Sequence, residues 1–249
     1  MRRAALYWAL PAILACAGLA ALGVWQLQRA SWKERVLAGW SAALAAPPRA
    51  YAEVVADRVS LPRREDVTAE HDAPALPLRV EIAGHWDPGT TVLLDNQRLG
   101  ADVGALVFTR FVPDDRATPL LVNRGWVALA QGRRVPVLEV PTIQRTTLRG
   151  LLVAPPASGL KLGTSTWQAG QPPALLTWLD LPAIAGASAP LFTGVLQLDP
   201  ELPYGFTRRW QALPNTLSPL KHRGYAVQWF GMSLAVAVIY FVLALRRNP

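Results

Sequence analysis

The chain has 249 residues, 51% of them hydrophobic, with one cysteine and a formal net charge of +8. A single cysteine excludes an internal disulfide. The charge excludes a nucleic-acid partner once it is located: nine basic residues against Glu34 lie before Val36 and after Leu220, while residues 36–220 balance.

In chain order, the first element is an uncharged apolar run from Ala4 to Gln28, and its counterpart at the other end is Gly224 to Leu245. Roughly 20 helical residues at 1.5 Å rise cross a hydrocarbon core of about 30 Å, so both runs are expected to be transmembrane helices, over 4–28 and 224–245. The charge excess flanks them, where Lys and Arg meet lipid headgroups. Neither run has an ionisable residue in its middle, which argues against a transport pathway through them. Arg2, Arg3, Arg246 and Arg247 lie outside the runs, and Arg29, Lys33, Arg35, Lys221 and Arg223 lie inside. Long loops translocate largely regardless of charge, so both termini are expected in the cytoplasm and the intervening domain outside it. Cleavage of the front segment as a signal peptide is the alternative. Against it, the apolar run continues nine residues past the faint Ile13-Leu14-Ala15-Cys16 box, longer than a signal core. Cys16 then reads as a small apolar residue in a span. Only two arginines precede the run, which leaves no room for an Arg/Ser-rich mitochondrial presequence. With Arg abundant and Lys scarce, a bacterial inner membrane is the expected address.

Lys33 to Ala46 reads as a short helix, over 33–46, ended by Pro47-Pro48. The stretch up to Pro77 has little period and is expected to be a surface loop, open to some helix. A β-rich domain over 47–220 follows, with strands from about residue 78. Leu78 to Ile82 alternates and is expected to end in a turn at Trp86-Asp87-Pro88-Gly89. Thr91–Asp95, Ala105–Val112, Leu120–Ala130, Thr146–Val153, Ala174–Leu179 and Leu191–Leu198 continue the series. Turns fall at Pro113-Asp114-Asp115, Gln131-Gly132-Arg133 and Pro155-Pro156, and Leu181 to Gly186 predicts one helical turn. The fold class is therefore a membrane protein: two transmembrane helices flank one mainly antiparallel β domain, barrel- or sandwich-like, with short helices.

Catalytic motifs are missing. There is no phosphate loop, CxxC pair, haem-attachment CxxCH or nucleophile elbow. His71, His85 and His222 are the only histidines, and the first two have no partner at metal-ligand spacing, so the chain is not expected to be an enzyme. At the entrance to the second span, His222, Tyr225, Ala226 and Trp229 share one helical face. An imidazole with a small residue and two rings suits a haem, whose iron takes axial histidine. The same residues also make an ordinary headgroup anchor and aromatic belt. In the first span, Gly23 permits close helix approach and Trp25 sits at the interface. Arg29, one turn beyond, has a guanidinium able to fork onto a carboxylate such as a haem propionate, or it is a plain positive flank. Asn123-Arg124-Gly125 interrupts a strand and predicts a bulge with Gly125 at positive φ; Arg124 either serves that bulge or faces a membrane-side pocket.

Three runs resemble the Surfeit locus 1 family of cytochrome c oxidase assembly factors: LGVWQLQR with WKERVL at 22–37, LLVNRGWVAL at 120–129 and KHRGYAVQWF at 221–230. LLDNQRLGADVG at 93–104 and LRGLLVAPP at 148–156 fit the same order. The resemblance implies a two-span inner-membrane protein with its domain on the periplasmic side. It also implies a role in assembling haem–copper oxidase. Some bacterial members bind haem a, and the matched histidine is His222, which would ligate the iron, with Tyr225 and Trp229 lining the pocket. Trp25 and Arg29 belong to the matched first-span motif. The expected cargo is haem a, held transiently. The expected partners are the membrane, the oxidase large subunit and a haem a synthase. A rival expectation is a scaffold that binds oxidase subunits without haem, with His222 as an anchor.

Overall fold

The computed structural model describes residues 2–59, 77–130, 133–139, 141, 144–157, 167, 170–186, 189–203, 205–210, 212 and 216–246. Two compact units result: Met1–Ala38 with Leu213–Pro249, and Gly39–Ala212.

The first unit is a helix pair. Helix α1 runs over Arg2–Ala45 and helix α4 over Pro219–Arg246. Their apolar stretches, mean hydropathy 1.8 and 1.9, are long enough to cross a membrane. The short helix expected over 33–46 is no separate element: it is the end of α1. Arg29-Ala30-Ser31-Trp32 contains neither Gly nor Pro, so nothing stops the helix before Pro47. Ser218 starts α4: its Oγ accepts from Lys221 N at 3.4 Å and its carbonyl from His222 N at 3.3 Å, with Pro219 in the first helical position.

The pair packs through a stripe in steps of three and four. On α1 it comprises Cys16, Gly23, Gln26, Ala30 and Lys33; on α4 it comprises His222, Ala226, Trp229 and Ser233. Ala30 and Ala226 are buried, and a Cβ on Gly23 would stand 2.7 Å from the Phe230 ring. Ser233 Oγ donates to Cys16 O at 3.0 Å, and Cys16 Sγ donates to Ser233 O at 3.4 Å.

The second unit is a closed barrel. Strand β2 (Leu78–Leu99) pairs antiparallel with β3 (Asp102–Pro113), and β3 pairs antiparallel with β4 (Leu120–Ala128). Strand β4 then runs parallel to β7 (Val195–Leu198), β7 antiparallel to β5 (Thr146–Val153), and β5 returns antiparallel to β2. Closure removes the exposed edges of the ring. Two-residue strands β1 (Arg49–Ala50) and β6 (Leu175–Leu176) add parallel bridges to β2. Helix α2 (Tyr51–Val59) occupies part of the stretch expected as loop. Its buried Tyr51, Val54 and Val55 join the core, and Tyr51 Oη donates to Thr118 O at 2.7 Å. Helix α3 (Leu181–Ala185) is the expected helical turn, capped by Asp180 Oδ1 accepting from Ala183 N at 3.2 Å.

The turn expected at Trp86–Gly89 is instead an irregularity inside β2. Asp87 faces Arg110 and Thr91 faces Thr109, so Pro88, Gly89 and Thr90 are extra. An odd insertion swaps the two faces of the strand. Before it, Val80, Ile82 and Trp86 join one core with Phe111 and Leu148. After it, Val92 and Leu94 join the opposite core with Phe108 and Leu151. Trp40, Ala43 and Leu44, at the end of α1, pack on that second core together with α3. The Gln131-Gly132 turn lies outside the described residues, as does His71.

Candidate functional site: the head of the helix pair

The entrance of α4 brings one imidazole against α1. His222 is 6% exposed, and its Nδ1 lies 2.5 Å from Gln26 Oε1. An amide oxygen only accepts, so with the oxygen in this position Nδ1 carries the proton; the same amide turned over would donate to a bare Nδ1. A neutral imidazole with Nδ1–H leaves a bare lone pair on Nε2. That atom is buried and has no hydrogen-bond partner. Buried polar atoms in native proteins are nearly always matched, so an unmatched nitrogen on a metal-ligating residue type makes Nε2 a candidate ligand position.

Two cations lie near this ring. Lys33, 3% exposed, donates from Nζ to Leu217 O at 2.5 Å, just ahead of the α4 cap. Arg29 lies with its guanidinium carbon 4.3 Å from the centre of the Trp32 ring. Both Lys33 and Arg29 are within electrostatic range of His222. Arg223 Nη2 pairs with Glu34 Oε1 at 2.8 Å. The buried indole Trp32 Nε1–H has no acceptor. The head thus brings one imidazole nitrogen that has no partner beside two cationic side chains, Lys33 and Arg29.

Of the residues read from sequence, the structure buries His222 and Ala226 and half-buries Trp229 on the face turned to α1. Tyr225 and Trp25 are 42% and 50% exposed. Arg29 is brought near His222; Trp25 and Tyr225 remain open at the surface of the helix pair. Sequence reasoning missed Gln26, Trp32 and Lys33. Gln26 and Lys33 had a signal: with Gly23 and Ala30 they continue the α1 packing stripe, where a polar residue faces the partner helix. No group of three or more His, Cys, Asp and Glu assembles among the described residues. His85 lies exposed on β2, paired across the ladder with Val112.

Arg124 belongs to the barrel. Val107 faces Gly125 and Phe108 faces Asn123, so Arg124 is the extra residue of a bulge, with Gly125 at φ 117°. Asn123 Oδ1 accepts from Gly125 N at 2.9 Å. Arg124 is 2% exposed, lies over the Phe206 and Trp86 rings at 5.0 and 5.7 Å, and donates from Nη2 to Glu139 O at 2.8 Å. Burial pulls its pKa down to about 10, still cationic at neutral pH. Arg124 therefore packs within the barrel at the bulge.

A small barrel, joined in the chain to two helices long and apolar enough to span a bilayer, with one buried imidazole between those helices, is the class of protein that this structure defines. A sequence profile of the SURF1 family matches residues 13–234, nearly the whole chain, and the chain belongs to that family. A similar curated protein is the cytochrome oxidase assembly protein SHY1 of Saccharomyces cerevisiae, 24% identical over 107 residues. That alignment covers 43% of this chain and 24% of the yeast protein's length.

Proposed function

We propose that this protein is an assembly factor for haem–copper cytochrome oxidase that carries haem a and passes it to the large catalytic subunit. Family membership and the yeast relative's assembly role support the process. The observation that carries the cargo is the buried, unmatched Nε2 of His222, with its lone pair set by Gln26. When bound, the haem would supply a Lewis-acidic iron, and His222 would hold it through its imidazole. Within the chain, His222 holds the cargo, Trp229 and Tyr225 offer ring faces, and Arg29 and Trp32 offer donors to its carboxylates. A single protein ligand suits transient holding, because release breaks one bond to the protein. No covalent chemistry is assigned to the chain. The protein works in a bacterial inner membrane with both termini cytoplasmic and the barrel periplasmic, near haem a synthase and the nascent oxidase subunit. Trp25 lies at the interface and contributes an exposed ring on the same motif.

The test is purification of the full chain from cells that make haem a. About one haem per chain supports a carrier. Oxidase subunits co-purifying with a colourless protein would favour a scaffold and overturn the cargo.

A further inference from the structure

We propose that Gln26 is a positioning residue that fixes the tautomer of His222 and so makes Nε2 the ligating atom. This rests on the haem-carrying reading for its functional consequence, though the tautomer itself can be read without haem. The 2.5 Å contact joins positions 196 apart in sequence, one on each helix of the pair. With the carboxamide oxygen toward the ring, only Nδ1–H satisfies it; the opposite tautomer would need the amide turned over, with its N–H donating to a bare Nδ1. That alternative would also leave an N–H in the buried space where Nε2 has no partner. In either arrangement Gln26 occupies Nδ1, so Nε2 is the ring nitrogen left for a guest.

The neighbours of Gln26 hold its position. Gly23, one turn earlier on the same stripe, admits the Phe230 ring, and Ala30, one turn later, is buried. Those small residues set the interhelical gap that lets a Gln side chain, rather than a shorter one, reach the ring. An outer acceptor on a ligating imidazole raises its basicity and fixes its plane, and losing such a partner commonly costs 10–100-fold in metal affinity. A carboxylate at the same position would pull harder on the Nδ1 proton and make the imidazole a stronger donor to oxidised iron.

The experiment uses the full chain in lipid nanodiscs, with histidine labelled in nitrogen-15. Long-range proton–nitrogen spectra of the haem-free protein are recorded above the ordinary imidazole titration range, with His222→Ala identifying the signal. The expected wild-type pattern is protonated Nδ1 with bare Nε2, retained in Gln26→Glu and lost toward protonated Nε2 in Gln26→Leu. After loading with haem a, Gln26→Leu should weaken binding about 10–100-fold and raise the midpoint potential. Gln26→Glu should retain binding and lower the potential. A wild-type spectrum with protonated Nε2, or a Gln26→Leu variant with unchanged tautomer and potential, overturns the role of Gln26. If the wild type takes up no haem, the cargo reading fails, while the haem-free spectra still judge the tautomer.

Discussion

His222 and Arg124 are both buried, and each has a nitrogen with no partner, yet they teach opposite lessons. The unmatched atom of Arg124 is Nε–H on a permanent cation, which cannot ligate a metal. Two aromatic rings and a carbonyl stabilise that cation, so its burial is accounted for within the barrel. The unmatched atom of His222 is Nε2, and Gln26 sits on the opposite ring nitrogen. An unmatched donor beside aromatic rings belongs to the barrel's own packing; an unmatched imidazole nitrogen is a candidate ligating atom.

Mutations separate the two. Arg124→Ala removes a buried side chain between rings and leaves Glu139 O unmatched, so it should destabilise the fold by about 3 kcal/mol. The thermal midpoint of the purified protein should then fall by roughly 6–12 °C. A fall within error would mean that the cation contributes nothing to the barrel. Next comes Gly125→Val. A Cβ there would stand 2.8 Å from Thr207 O, at φ 117°, so a loss of about 2 kcal/mol is expected from strain and clash. Equal denaturant midpoints for this variant and wild type would contradict the bulge.

The helix pair should respond more weakly in stability and more strongly in binding. Gly23→Val meets the Phe230 ring, a side chain that can yield, so about 1 kcal/mol is expected in thermal unfolding. Haem uptake should drop with it, because the gap that sets the His222–Gln26 bond widens. Smallest of all is Arg223→Gln: its exposed pair with Glu34 should contribute about 0–1 kcal/mol, fading with added salt. A larger, salt-independent loss would show that the pair organises the head of the helices.

Much of this was legible in sequence, for identifiable reasons. Strand β5 matches the expected 146–153 because its β-prone run of Thr, Leu and Val stops ahead of Pro155-Pro156. Strand β2 was split at Pro88-Gly89 because a turn and an odd insertion use the same residues; only the partner strand tells them apart. The bulge at Gly125 was readable because Asn-Arg-Gly inside a run of Val and Leu has one comfortable backbone solution. The parallel seam between β4 and β7 was not, since alternation carries no strand direction. Helix α1 runs past the end expected at Gln28 because a change from apolar to charged composition does not by itself break a helix. For the site, the face holding His222, Ala226 and Trp229 followed from helical periodicity. Gln26 did not, because a hydrogen bond between residues so distant in sequence depends on how the two helices align.

The most direct measurement replaces the imidazole and then returns it. Full-length His222→Gly, loaded with haem a in nanodiscs, is followed by absorption spectroscopy with and without added free imidazole. The account predicts that the substitution abolishes the wild-type spectrum with little change in thermal midpoint, and that millimolar imidazole (order of magnitude of weak ligand binding) restores it. An unchanged spectrum in the glycine variant would contradict the assignment of His222 as the group that holds the cargo.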